Sequence, residues 1–202
     1  VQPASALLTS ADIQDGQIIK AKIADDAVDN TKLDLTSSYD FSAGLTLGDN
    51  LTFDVAGKGV HLGVTSSTAS NLMDDYEEGE FEATLDNSVT LHPSQNSLSY
   101  TKIGRQVMIC GQIRISSSNT NDVVINNLPF TNISATDNAE FTFGIVRLYE
   151  YNVPSDSKYV GCYTVASDTR LHFTNVRDNA TTDPLNADQD GYLMFTTSYF
   201  AS

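Results

Sequence analysis

Apolar residues follow two different regimes along the chain. From Ala11 to Leu33, in ADIQDGQIIKAKIADDAVDNTKL, the residues Ile13, Ile18, Ile23, Val28 and Leu33 stand five apart. A helix rotates each successive anchor of that set by about 140° and scatters them round its axis, and a strand sends them to alternating faces. A single copy of the segment cannot bury all five on one side. The spacing therefore predicts an intertwined oligomer in which the anchors face equivalent segments around a shared axis, or else a short irregular linker.

The stretch Phe41 to Gly63 alternates short β-prone runs, Leu45–Leu47, Leu51–Phe53 and Val60–Leu62, with Gly and Asp-Asn turn signals. Strands this short need partners from a neighbouring chain or from the domain that follows. A Ser/Thr-rich link at 64–70 then leads to the acidic NLMDDYEEGEFEATL.

Beyond Glu80 the pattern changes to a succession of strands: 81–85, 100–115, 122–128, 140–151, 158–166, 169–176 and 191–200. Within the second, Val107, Ile109, Ile113 and Ile115 share one face while Met108, Cys110, Gln112 and Arg114 share the other, which marks a half-buried antiparallel strand. Gly104-Arg105, Ser155-Asp156 and Asp190-Gly191 are the expected turns. Helical periodicity is lacking, so this half is expected to be a β-sandwich or jelly roll.

Composition agrees with strands and turns, with nine Tyr, nine Phe and no Trp in 202 residues. The net charge of -15 is uneven: residues 1–80 hold 14 acidic against 4 basic side chains, and residues 81–202 hold 12 against 7. Such a surface repels phosphate backbones, and the later basic residues are scattered singly, so a nucleic-acid partner is not expected. No apolar run approaches the length of a membrane span, and the N-terminus has no signal-peptide pattern. The chain begins at Val1 without Met, which leaves room for an upstream segment. Cys110 and Cys162 lie in separate apolar runs and are expected as buried free thiols.

Candidate chemistry is sparse. His61, His92 and His172 are accompanied by no nucleophile elbow, zinc-binding helix or phosphate loop, and His172 reads as an outward-facing strand residue between Leu171 and Phe173. No catalytic residue is assigned. Asn186, Asp188 and Asp190 with Gly191 match the start of a Ca²⁺ loop, but its twelfth position is Thr197 and not the required Glu, so a polar hairpin turn is the competing reading. Asp74, Asp75, Glu77 and Glu78 form a second acidic group, either a solvated connector or, in three copies round an axis, a Ca²⁺ site. No other cofactor is expected. Among the tyrosines, Tyr151 stands nearest a loop, YNVPSDSKY, which either displays it with Asn152 and Asp156 for receptor binding or simply closes a hairpin.

Three motifs resemble fibre and receptor-binding proteins of tailed bacteriophages, marine ones especially. DGQIIKAKIADDAV at 15–28, followed by DNTKL, is similar to the tandem DG-x-I-x-x-x-K-I/L-A-D-x-A-V stalk repeat. KGVHLGVTSSTASNLMDDYEEGEFEATL at 58–85 is similar to the acidic-aromatic D-D-Y-E-E-G-T-W/F element that opens many fibre heads. SYTKIGRQVMICGQIRI at 99–115, with NNLPF at 126–130, resembles the Y-x-K-I-G-x-x-V strand and later L-P-F turn of those heads. The motifs fall within residues 11–130, and residues 131–202 match only in β character. Glu80 and Phe81 depart from the usual Thr and Trp, and the repeat array is brief, as at the end of a longer stalk.

The resemblance implies a homotrimer in the virion, made in the host bacterial cytoplasm, joined through its N-terminal side to other tail or capsid proteins. Its C-terminal heads would touch a host surface glycan or protein. The expected architecture is all-β: residues 1–80 form an extended trimeric stalk and connector, with the five anchors from Ile13 to Leu33 as its core, and residues 81–202 form a jelly-roll-like β-sandwich head. Multivalent attachment follows as the expected function, without enzymatic activity. A capsid decoration fibre or structural virion spacer is the alternative, and a glycan-cleaving tail enzyme is a third reading.

Overall fold

The structure, a computed structural model, describes residues 44–55, 57–63, 72–117, 119–134, 142–178 and 183–202. The chain divides into two units, Val1–Leu51 and Thr52–Ser202. In the first unit the described residues, 44–51, are exposed and carry no strand. Leu45–Leu47 and Leu51–Phe53 therefore do not form the expected strands; the backbone amides of such short runs need a partner strand to hold them. Val60–His61 does form a strand, β1, because β2 (Leu72–Met73) pairs with it antiparallel, Val60 opposite Met73.

The rest of the second unit is one antiparallel sheet, and the described residues contain no helix. Its strands are β3 (Tyr76–Glu82), β4 (Ser97–Ile103), β5 (Gln106–Arg114), β6 (Val124–Ile125), β7 (Phe143–Tyr149), β8 (Ser157–Thr164), β9 (Leu171–Arg177), β10 (Asp183–Pro184) and β11 (Tyr192–Phe200). They are ordered β10-β9-β8-β7-β11-β5-β4-β3, with β6 pairing β9 as well. The hydrogen-bonded path returns on itself: past the end of β3, Leu85 bridges Ile125 of β6. Three asparagine bonds reinforce that junction, Thr84 N–H to Asn127 Oδ1, Asn127 Nδ2 to the Glu82 carbonyl, and Asn126 Nδ2 to Asp86 Oδ1, each at 2.8 Å.

Alternation decides which side chains the sheet buries. Val107, Ile109, Ile113 and Ile115 of β5 and its extension are fully buried, while Met108 between them is 45% exposed. Register carries the same face across the neighbours: Leu193 and Thr197 of β11 lie opposite Ile113 and Ile109, and Cys162 of β8 lies opposite Phe173 of β9. Gly111, at φ 150, marks a close approach of β5 to β4, since a Cβ there would stand 2.6 Å from Leu98 Cδ2.

The strands over 140–151, 158–166, 169–176 and 191–200 are present with slightly different ends, and the turn at Gly104-Arg105 separates β4 from β5. The 122–128 run shrinks to the two residues of β6. The 81–85 run starts earlier than expected, so the acidic YEEGE is itself strand; its amides are satisfied by β4, with Gly79 opposite Tyr100.

Candidate functional site

Two connections converge at one end of the sheet. The first, residues 150–156, joins β7 to β8. Pro154 fixes its own φ and keeps Val153 extended, and the Ser157 N–H donates to the Pro154 carbonyl at 3.0 Å, closing a turn over Ser155 and Asp156. The second, residues 185–191, joins β10 to β11. There the Gly191 N–H donates to the Asp188 carbonyl at 3.1 Å, with Asp190 at φ 68, a conformation that Asp tolerates better than most residues.

The two connections are fastened together. The Tyr151 hydroxyl donates to the Asn186 carbonyl at 2.6 Å, and its ring covers Gly191, where a Cβ would stand 2.4 Å from the ring. Asp188 accepts from Asn152 twice, from its backbone N–H at 2.5 Å and from Nδ2 at 3.0 Å. Burial, with the Asp188 charge nearby, pushes the Tyr151 hydroxyl well above the usual phenol range.

Between these connections and the end of β9 lies a cleft of about 420 Å³. Val153, Pro154 and Pro184 give it apolar walls, and Asn152, Asn175 and Asn186 are among the polar residues that line it. Arg177 also lines it, already held by two carboxylates. Its Nε reaches both oxygens of Asp156 at 3.0 and 2.9 Å, and its Nη1 reaches Asp183 at 2.7 Å. That pairing holds the Asp156 carboxyl below the usual range and raises the Arg177 guanidinium. The group therefore carries one positive and two negative charges.

Asn175 is 3% exposed, and its Oδ1 is buried without a hydrogen-bond partner. Leaving such an acceptor unpaired costs about 1–3 kcal/mol.

Of the sequence-expected loop residues, Tyr151 and Asn152 meet the Asn186–Asp190 turn, whereas Asp156 pairs with Arg177. Tyr151 is half-buried, and its hydroxyl is used internally; Asn152 lines the cleft, and Asp156 reaches it only through Arg177. Of the residues considered as metal ligands, Asp188 accepts from Asn152 and Asp190 from Arg114 Nη2 at 2.8 Å, while Asn186 gives its backbone carbonyl to Tyr151. In the second acidic group, Asp75 pairs with Lys102, Glu77 accepts from Tyr100 and Glu78 accepts from Tyr76. Among the described residues no group of three or more His, Cys, Asp or Glu is placed to hold a metal ion. Ile13, Ile18, Ile23, Val28 and Leu33 lie outside the described residues. Sequence reasoning missed Asn175, Arg177 and Asp183; the one available signal was a polar residue, Asn175, on the buried face of a strand.

A second surface stands apart from the cleft. The outward faces of β8, β7, β11 and β5 are adjacent, and none of the chain's 26 acidic residues lies in these four strands. Ile145 is 72% exposed, Phe143 51%, Tyr159 48% and Met108 45%. The Phe143 ring lies over Gly161 and meets Tyr159 edge-on at 6.1 Å. Beside them a shallow depression is lined by Cys110, Thr196 and Met194. Arg147 turns its Nη1 onto the Met194 sulfur at 3.0 Å.

Among the described residues no helix is long and apolar enough to cross a membrane. In comparisons with known proteins, no family model, no curated protein and no solved structure matches the chain.

Proposed function

We propose that this chain is the distal part of a tailed-phage fibre, a homotrimer whose β heads attach the particle to the host cell surface. The observation that carries the reading is the carboxylate-free, largely apolar outer face of β8-β7-β11-β5. A chain at -15 that associates with its own copies needs a contact surface free of carboxylates. Tight clustering of Phe143, Ile145 and Tyr159 on that face supports burial against neighbouring copies. The stalk-like repeat at 15–33 and the junction at 58–85 support the fibre assignment by resemblance, and the closed hydrogen-bonded path supports a jelly-roll-like sandwich as the finer description of the head. Three heads on one stalk convert weak single contacts into avidity.

The reading predicts that fluorescently labelled chain binds a subset of strains in a bacterial panel and that unlabelled chain competes. Binding to no strain, with the chain found on assembled particles, would favour a capsid decoration fibre or structural spacer. Release of reducing sugar from host polysaccharide would favour the glycan-cleaving enzyme.

A further inference from the structure

We infer that the cleft between the 150–156 and 185–191 connections is a binding site for a neutral, hydroxyl-bearing ligand of small-sugar size, with Asn175 Oδ1 as the acceptor for one ligand hydroxyl. This rests on the attachment reading for its biological purpose but not for its chemistry.

The cleft volume, about 420 Å³, lies within the range of small-molecule sites, and its mixture of proline and valine walls with a few convergent polar groups is what such sites share. Asn175 is the observation that points to a ligand. Its Oδ1 is a buried acceptor with no donor among the described residues, and the residue lines the cleft. A hydroxyl supplies that missing donor and can at the same time accept from a neighbouring amide. Asn152 and Asn186, both exposed at the cleft, offer the further amide donors and acceptors that a polyhydroxyl ring needs.

Charge selects among ligands. The only cation lining the cleft, among the described residues, is Arg177, and Asp156 and Asp183 more than neutralise it. A carboxylated or phosphorylated ligand would meet an excess of negative charge, so neutral ligands are preferred. The clamp has a second effect: it holds the guanidinium in place before any ligand arrives, so little ordering remains to be done on binding.

Saturation-transfer NMR on the full chain tests this, using glucose, galactose and mannose as neutral probes and glucuronate as the charged one. The expected result is transfer to at least one neutral sugar, with glucuronate bound at least tenfold more weakly. Asn175→Leu should weaken the neutral sugar at least tenfold while the melting temperature holds or rises, since the substitution removes an unpaired buried acceptor. Asn186→Ala, at an exposed position whose backbone carbonyl is kept, serves if Asn175→Leu does not fold, and should weaken binding at least threefold. Transfer to none of the three neutral sugars, equal binding of glucuronate, or binding unchanged in the folded variants would overturn the assignment. Strain binding by the same proteins separates the two readings. Cells bound without any sugar transfer would leave attachment standing and remove the cleft site, whereas sugar bound with no strain recognised would do the reverse.

Discussion

The hydroxyl of Tyr199 donates to the Phe130 carbonyl at 3.0 Å and accepts the Phe130 N–H at 3.3 Å, so one fully buried side chain of β11 satisfies both backbone groups of a single loop residue. Phe130 in turn packs edge-on against Tyr100 of β4 with ring centroids 5.5 Å apart, and the Lys102 ammonium lies over the Phe130 ring at 5.4 Å from its centroid. The loop that follows β6 is thereby tied to the middle of the sheet. Burial raises the Tyr199 hydroxyl above its ordinary range, in keeping with a neutral phenol that both donates and accepts.

Tyr199→Phe keeps the ring and removes both bonds, leaving the Phe130 N–H and carbonyl without that partner. A loss of about 1–3 kcal/mol is expected, measurable as a lower denaturant midpoint at unchanged slope. An unchanged midpoint would mean that water replaces the hydroxyl.

His172 should make the β-sheet unit acid-sensitive. Its ring stacks on Tyr163 at 5.4 Å, and its Nε2 is buried without a partner. Burial first, and then Arg170, hold its pKa below the ordinary value, against the opposing pull of Asp168, Asp86 and Asp122. A folded pKa below the unfolded one means that the unfolded chain binds the proton more readily. Stability is then complete above about pH 6.5 and falls as pH drops from there toward the folded pKa. Thermal melts between pH 7 and pH 5 should show this decline in the native chain and a shallower one in His172→Phe.

The two thiols should be distinguishable by reactivity. Cys162 is fully buried, and burial pushes its thiol up to about 11. Cys110 sits on the outer face, partly exposed in the single chain. If copies assemble through this face as proposed, a thiol reagent at neutral pH is expected to label neither cysteine in the native protein, Cys110 alone in an Ile145→Asp variant, and both after denaturation. Rapid labelling of Cys110 in the native assembly would argue that this face stays open to solvent.

Legibility from the sequence followed the balance between local and distant causes. The faces of β5 could be read because Val107, Ile109, Ile113 and Ile115 alternate strictly with polar or adaptable neighbours, and burial depends on that period alone. The strand at Tyr76–Glu82 could not: YEEGEFE has the composition of a solvated connector, and only its pairing with β4 makes it a strand. Leu45–Leu47 failed in the opposite sense, with strand-like residues but no strand in the described structure to pair with. The cleft was half visible. Each of its two connections carries loop signals, but Asn152 and Asp188 are 36 residues apart, and no spacing in the sequence announces that they touch. Alternation with Leu171 and Phe173 puts Asn175 on the buried face, but nothing local says that the cleft formed by two distant connections opens beside it.

The central claim is that copies of this chain meet through the face centred on Ile145, and its most direct test is the solution mass by light scattering, for the native chain and for Ile145→Asp. At 72% exposure Ile145 has little to lose inside its own fold, so the substitution should leave the single head folded, with β circular dichroism unchanged. The account predicts a native mass of three times 21.9 kDa and a clear shift toward smaller species in the variant. A native chain that remains at 21.9 kDa, or a trimer whose mass is indifferent to aspartate at Ile145, would contradict it.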